Sequence, residues 1–201
     1  MKEQIIQKAR ELFLTLGVKS VTMDDIANRM GISKKTIYVH FENKTKLVER
    51  VTFHVFNQIS KGIDCICNKS NNPIEELYQI KDFVMVHLND EKSSPHYQLQ
   101  KYYPKIYASL IKKQFEVTHD CAKENLLRGI SQGYFRENID VEFISRLYFS
   151  CLSIVKNNEV FPEENFSVKM LMENYLEYHV RGICTPKGIK VLEKIINKNK
   201  D

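Results

Sequence analysis

Apolar residues recur at helical spacing from the first turn of the chain. Ile5, Ile6, Ala9, Leu12, Phe13 and Leu16 fall on one stripe, and Gly17 follows as a stop. A second, short helix is predicted after Thr22, which stands three residues before Asp25 as in a capping box; Ile26, Ala27 and Met30 face inward and Gly31 ends it. Ser33 caps a third short helix whose Ile37 and Phe41 are four apart, and Asn43 caps a fourth that begins at Lys44 and runs past Phe56. A polar break at 68–73 leads into Asn72-Pro73 with Glu75, a helix start, and that helix is expected to reach about Asn89.

Further on, Ser93-Ser94-Pro95 and Tyr103-Pro104 punctuate a shorter segment, and Tyr107, Leu110, Ile111 and Phe115 open a long helix ending near Gly133. Asp140 caps a helix with the stripe Ile144, Leu147, Tyr148, Cys151, Leu152 and Val155. The next carries Val168, Leu171, Met172, Tyr175, Leu176, His179 and Val180, and Thr185-Pro186 starts a last one with Ile189, Leu192, Ile195 and Ile196. No strand pattern competes. The expectation is an all-α protein of nine or ten helices.

Composition narrows the class. Hydrophobic residues make up 43% and charged residues 27%, the balance of a folded chain. Apolar runs such as Phe83-Val84-Met85-Val86 fall far short of the ~20 residues that span a bilayer. The first residues show no secretory signal, so a cytoplasmic protein without membrane contact is expected. The five cysteines are read as reduced and largely buried; Cys65-x-Cys67 lacks two further ligands at useful spacing, so neither a metal nor another cofactor is expected. No glycine-rich phosphate loop, H-E-x-x-H helix or nucleophile elbow accompanies His87, His96 and His119, which argues against an enzyme.

The net charge of +5 is unevenly placed: residues 1–50 hold ten Lys/Arg against six Asp/Glu. In a helix-turn-helix the turn needs a left-handed residue and the first helix a small one at the crossing, demands that Gly31 and Ala27 meet. Lys34 and Lys35 stand in the first turn of the third helix, where the macrodipole is already positive, and Lys44 and Lys46 repeat this on the fourth. A nucleic-acid phosphate is the anion that makes such placement favourable.

The segment TMDDIANRMGISKKTIYVHFENKTKL at 22–47, extended upstream by Ala9, Leu12, Phe13 and Gly17, resembles the tetracycline-repressor-like (TetR) family of bacterial transcriptional regulators. GYFRENID at 133–140 is similar to a segment that precedes a late helix in that family. The resemblance implies that Thr22, Ser33, Lys34, Thr36, Tyr38, His40 and Lys44 contact double-stranded DNA, mostly at phosphates. Two positions depart from the family pattern: Lys35 replaces a common glycine and adds a phosphate or guanine contact, and Val39 replaces an aromatic and offers only apolar surface. Tyr38 is expected to be exposed because Ile37 and Phe41 already define the buried face.

The resemblance further implies a helix-turn-helix DNA-binding domain at 1–47 and a helical effector-binding and dimerisation domain at 48–201, a homodimer on a palindromic operator, its last long helices forming a four-helix bundle, and a small-molecule effector that relieves repression. Apolar residues beyond a single stripe, among them Phe143, Ile154, Phe166, Met170 and Tyr178, suit helices buried on two sides. Phe56, Phe83, His87, Tyr103, Tyr107 and Phe149 are candidate pocket linings, with ordinary core packing as the other reading. An architectural or partner-regulated DNA-binding protein without small-molecule sensing is the alternative function.

Overall fold

The computed structural model of the chain describes residues 1–88, 95–162 and 164–198. Asn89, Ser93 and Ser94, where one helix end and a break were expected, lie outside the described residues. Among the described residues ten helices follow one another: α1 (Lys2–Leu16), α2 (Met23–Met30), α3 (Lys34–His40), α4 (Lys44–Lys69), α5 (Pro73–Leu88), α6 (Pro95–Tyr102), α7 (Pro104–Ser131), α8 (Val141–Ile154), α9 (Val168–Ile183) and α10 (Pro186–Lys198). The fold is all-α. Among the described residues no helix is long and apolar enough to cross a membrane.

Two compact units divide the chain, one of residues 1–61 with 86–114, the other of 62–85 with 115–201. The division falls inside α4, α5 and α7, so neither unit is continuous in sequence.

In the first unit, Ile5, Ile6, Ala9, Leu12 and Phe13 of α1 meet Ile26, Ala27, Ile37, Phe41, Leu47, Val48 and Val51, and Leu99, Ile106 and Leu110 complete the core. Leu16, expected on the α1 stripe, is exposed. It is the last helical residue, and the chain turns at Gly17 (φ 87°) so that Val18 and Val21 fill the core instead.

In the second unit, Ile74, Leu77, Tyr78, Ala122, Leu126, Phe135, Tyr148, Leu176, Val180, Ile183 and Leu192 form the main core. Phe135 is fully buried over Gly129, where any Cβ would overlap its ring. Its loop is fixed to the end of α9 by Arg136 N–H donating to the Ile183 carbonyl (2.9 Å) and Thr185 N–H to the Tyr134 carbonyl (2.9 Å). Charged groups also lie inside: the Glu76 carboxylate accepts from Asn125 Nδ2 (2.8 Å) and from Arg128 Nη2 (2.5 Å).

Candidate nucleic-acid interface

The α2–α3 corner is built from local signals. Thr22 Oγ1 accepts from Asp25 N–H (3.1 Å), and Asp25 Oδ2 accepts from Thr22 N–H (2.8 Å), so two orphan donors of α2 are satisfied reciprocally. Gly31 takes the left-handed conformation (φ 65°, ψ 30°), and Ile32 N–H then returns to the Ala27 carbonyl (3.1 Å), the closure that a Schellman-type end requires. Ser33 Oγ accepts from Thr36 N–H (3.1 Å) and starts α3. Asn43 Oδ1 accepts from Lys46 N–H (3.0 Å) at the start of α4.

With Ile37 and Phe41 buried, helical geometry turns Lys34, Lys35, Tyr38 and Val39 to the outside of α3; Tyr38 is 44% and Val39 74% exposed. Thr22 and Ser33 are exposed, and Thr36, His40 and Lys44 are half-buried. His40 borders an open cleft of ≈ 460 Å³ with Lys2, Glu42, Lys46, Glu49, Arg50 and Phe53.

Several of these groups have intramolecular partners. Lys34 Nζ lies 2.6 Å from Asp24 Oδ2, a hydrogen bond that raises the ammonium above its ordinary pKa. Lys44 Nζ donates to the Lys19 carbonyl (3.0 Å); burial lowers its pKa and the Asp25 charge partly opposes this. The Thr22 hydrogen bonds hold the Asp25 carboxyl below its usual range. The cations at the starts of α3 and α4 are therefore positioned in advance, Lys44 by a carbonyl and Lys34 by an exchangeable surface pair.

The six candidate pocket residues are divided between the units. Phe56, Tyr103 and Tyr107 pack on the first core, where burial raises the Tyr103 pKa, and His87 is half-buried in the same unit. Phe83 and Phe149 belong to the second: the Phe83 ring fills the space beside Gly62, and Phe149 meets Phe115 edge-on (5.3 Å between centroids). A cavity lined by Leu77, Ala122, Asn125, Leu126, Tyr148, His179 and Ile183 measures ≈ 10 Å³, the scale of a single water.

Outside that core, Phe143 (60% exposed), Leu147 and Ile154 form one row of α8, and Met170 and Tyr178 (79% exposed) lie on α9. Phe166, grouped with them on sequence grounds, packs edge-on against Phe161 (5.5 Å) because the turn before α9 folds back. The Cys65-x-Cys67 spacing does not bring those two thiols together. Cys65 is exposed and Cys67 instead meets Cys121, a pairing that sequence proximity conceals.

Residues 5–51 match the family described as bacterial regulatory proteins, tetR family. The negative transcriptional regulator IcaR of the biofilm operon icaADBC in Staphylococcus aureus (strain Newman) is 38% identical over 79 residues, 39% of this chain and 42% of IcaR, so this chain spans about two fifths of that relative. The transcriptional repressor KstR2 of Mycolicibacterium smegmatis is 24% identical over 196 residues, 94% of this chain and 93% of KstR2. In fold, the chain is similar to a TetR-family transcriptional regulator from Agrobacterium tumefaciens, with a TM-score of 0.73 at 17% identity over 92% of this chain and 97% of that one. The TetR-family match thus lies on residues 5–51, which contain the capped α2–Gly31–α3 corner, and over the rest of its length the chain shares the helical fold of the solved regulator.

Proposed function

We propose that the chain is a transcriptional repressor that grips a palindromic operator as a homodimer and is released by a small-molecule effector. The observation that carries the reading is the outer face of α3, where Lys34, Lys35, Tyr38 and Val39 project over a base locked by Ile37 and Phe41. Thr22, Ser33, Thr36, His40 and Lys44 flank that face and complete the phosphate-contacting set, while Val39 offers apolar surface to a thymine methyl. The names of IcaR and KstR2 describe a negative regulator and a repressor, which supports repression as the sense of control. The homodimer rests on the exposed row Phe143, Leu147, Ile154 with Met170 and Tyr178, an apolar face that a second copy would cover.

Selection of bound genomic fragments with the purified protein, followed by affinity across a salt series, tests this. A palindromic site is expected, and the Lys34→Ala, Tyr38→Ala variant should bind it at least about tenfold more weakly with a shallower salt slope. Equal binding by variant and parent overturns the assignment of α3. Phe143→Glu with Tyr178→Glu should sediment as a monomer while keeping its helical content; a dimer that survives both changes places the interface elsewhere.

The exposed row Phe143, Leu147 and Ile154 suits equally a second reading, a DNA-binding protein regulated by a protein partner rather than by a small molecule. Substrates and products of enzymes encoded by neighbouring genes should include one that stabilises the fold by RT ln(1 + [L]/Kd), read as a rise in melting temperature, in the first case, and none should do so in the second.

A further inference from the structure

Two thiols 54 positions apart in sequence meet in the second unit. Cys67, near the end of α4, and Cys121, within α7, hold their sulfurs 3.2 Å apart, both side chains half-buried. We propose that Cys67 and Cys121 form a dithiol that a hydroperoxide converts to an intramolecular disulfide, an oxidation site within the regulator.

The geometry needs little adjustment. A disulfide requires the sulfurs to approach by only about 1 Å more, to roughly 2.05 Å. The pair is also chemically asymmetric. A Cys67 thiolate can accept the Cys121 S–H, and this bond, aided by the Arg128 charge, holds the Cys67 thiol below its ordinary pKa against burial and the charges of Glu76 and Asp64. The same bond and burial push Cys121 up. Cys67 is thus the attacking thiolate and Cys121 the resolving thiol.

Glu76 lies within 4.8 Å of both sulfurs, a grouping that a metal could also use. Its two oxygens, however, already accept from Asn125 and Arg128, and the guanidinium matches its charge. Only two sulfurs remain, short of the three or four protein donors of a zinc site. Cys65 is exposed and two residues from Cys67 on the same helix, so it points to a different face. Burial lifts the Cys184 thiol to about 11, which makes it a poor nucleophile.

The chemistry balances with one hydroperoxide. The Cys67 thiolate attacks the terminal peroxide oxygen, the O–O bond breaks, and the leaving oxygen takes a proton as alcohol or water, leaving Cys67 as a sulfenic acid. The Cys121 sulfur then attacks the Cys67 sulfur; the S–S bond forms as the S–O bond breaks, and the displaced hydroxide leaves as water with the Cys121 proton. Two thiols lose two electrons and the peroxide gains them.

The full-length reduced protein is treated with hydrogen peroxide, denatured, alkylated and mapped by mass spectrometry. Of its five thiols, three should alkylate, a Cys67–Cys121 peptide should appear, and a dithiol reductant should restore all five. Cys65→Ser should leave the cross-link in place. Cys121→Ser should stop at a dimedone-trappable sulfenic acid on Cys67, and Cys67→Ser should slow oxidation of Cys121 at least tenfold. Five alkylated thiols after treatment of the parent, or a cross-link mapping to Cys65, overturns the proposal without reliance on any variant.

Discussion

The two units place their polar and apolar groups in opposite ways. In the first, the fully buried residues among those described are apolar and the cations Lys34, Lys35 and Lys46 stand outside. In the second, Glu76, Lys81, Asn125 and Ser145 lie buried while Phe143, Ile154 and Tyr178 are exposed. A surface of cations and hydroxyls over an apolar core suits a polyanion, which is bound mainly by charge and shed by salt. An apolar surface over an interior tied by charged hydrogen bonds suits a protein partner, and a fold whose integrity depends on internal pairs.

Removing an internal charge should therefore have the largest effect. Glu76 is fully buried and its carboxylate holds both Asn125 and Arg128. Glu76→Ala removes the countercharge of Arg128 and is expected to cost about 3 kcal/mol, the lower end for breaking a buried pair because Arg128 is partly exposed to water and keeps the Ser70 carbonyl, as Asn125 keeps that of Pro73. Urea unfolding of the variant measures it; a loss below ~1 kcal/mol would mean that the second unit does not depend on this network.

A comparable cost comes from acid. Burial lowers the His179 imidazole to about 4 from its ordinary 6.5, and it packs against the rings of Tyr148 (5.1 Å) and Tyr175 (5.7 Å). The unfolded chain therefore binds a proton that the folded one refuses between those values. Stability rises with pH across that window and is lost as pH falls from about 6.5 to about 4, by up to about 3 kcal/mol. His179→Gln should flatten that part of the stability profile relative to the parent. Parallel profiles for the two proteins would show that His179 takes up its proton as readily in the folded chain as in the unfolded one.

The same contrast explains what was legible in sequence. The corner at 22–43 is specified by neighbours in the chain: the Thr22/Asp25 box, Gly31, Ser33 and Asn43 each act within three or four residues, and the structure has each cap where the spacing put it. Exposure of Tyr38 followed from the burial of Ile37 and Phe41. The second unit is held by long-range partners that periodicity does not encode, such as Cys67 with Cys121 and Glu76 with Arg128. Aromatic residues at helical spacing were equally silent about which unit they join, so Phe56 and Phe149 looked alike although they serve different cores. The discontinuity of the units, with 86–114 joining 1–61, is likewise a tertiary fact that a boundary drawn at 47 along the chain does not contain.

The smallest effect on stability is expected at the surface pair of the first unit. Asp24 and Lys34 are each about half exposed, so water takes the place of either partner with little penalty. Asp24→Asn should leave the unfolding midpoint within error of the parent, in contrast to Glu76→Ala. Its effect should appear on DNA instead. The Lys34 ammonium is released from its carboxylate and a negative charge is removed beside α3, so affinity for the selected fragment should rise a few-fold at low salt and converge with the parent as salt is raised. Binding competition across the salt series reads this directly. A variant that unfolds more easily yet binds DNA no better would make Asp24 a structural partner of the α2–α3 corner, and the division between a surface arranged for a ligand and an interior arranged for stability would fail at the position where it is drawn most sharply.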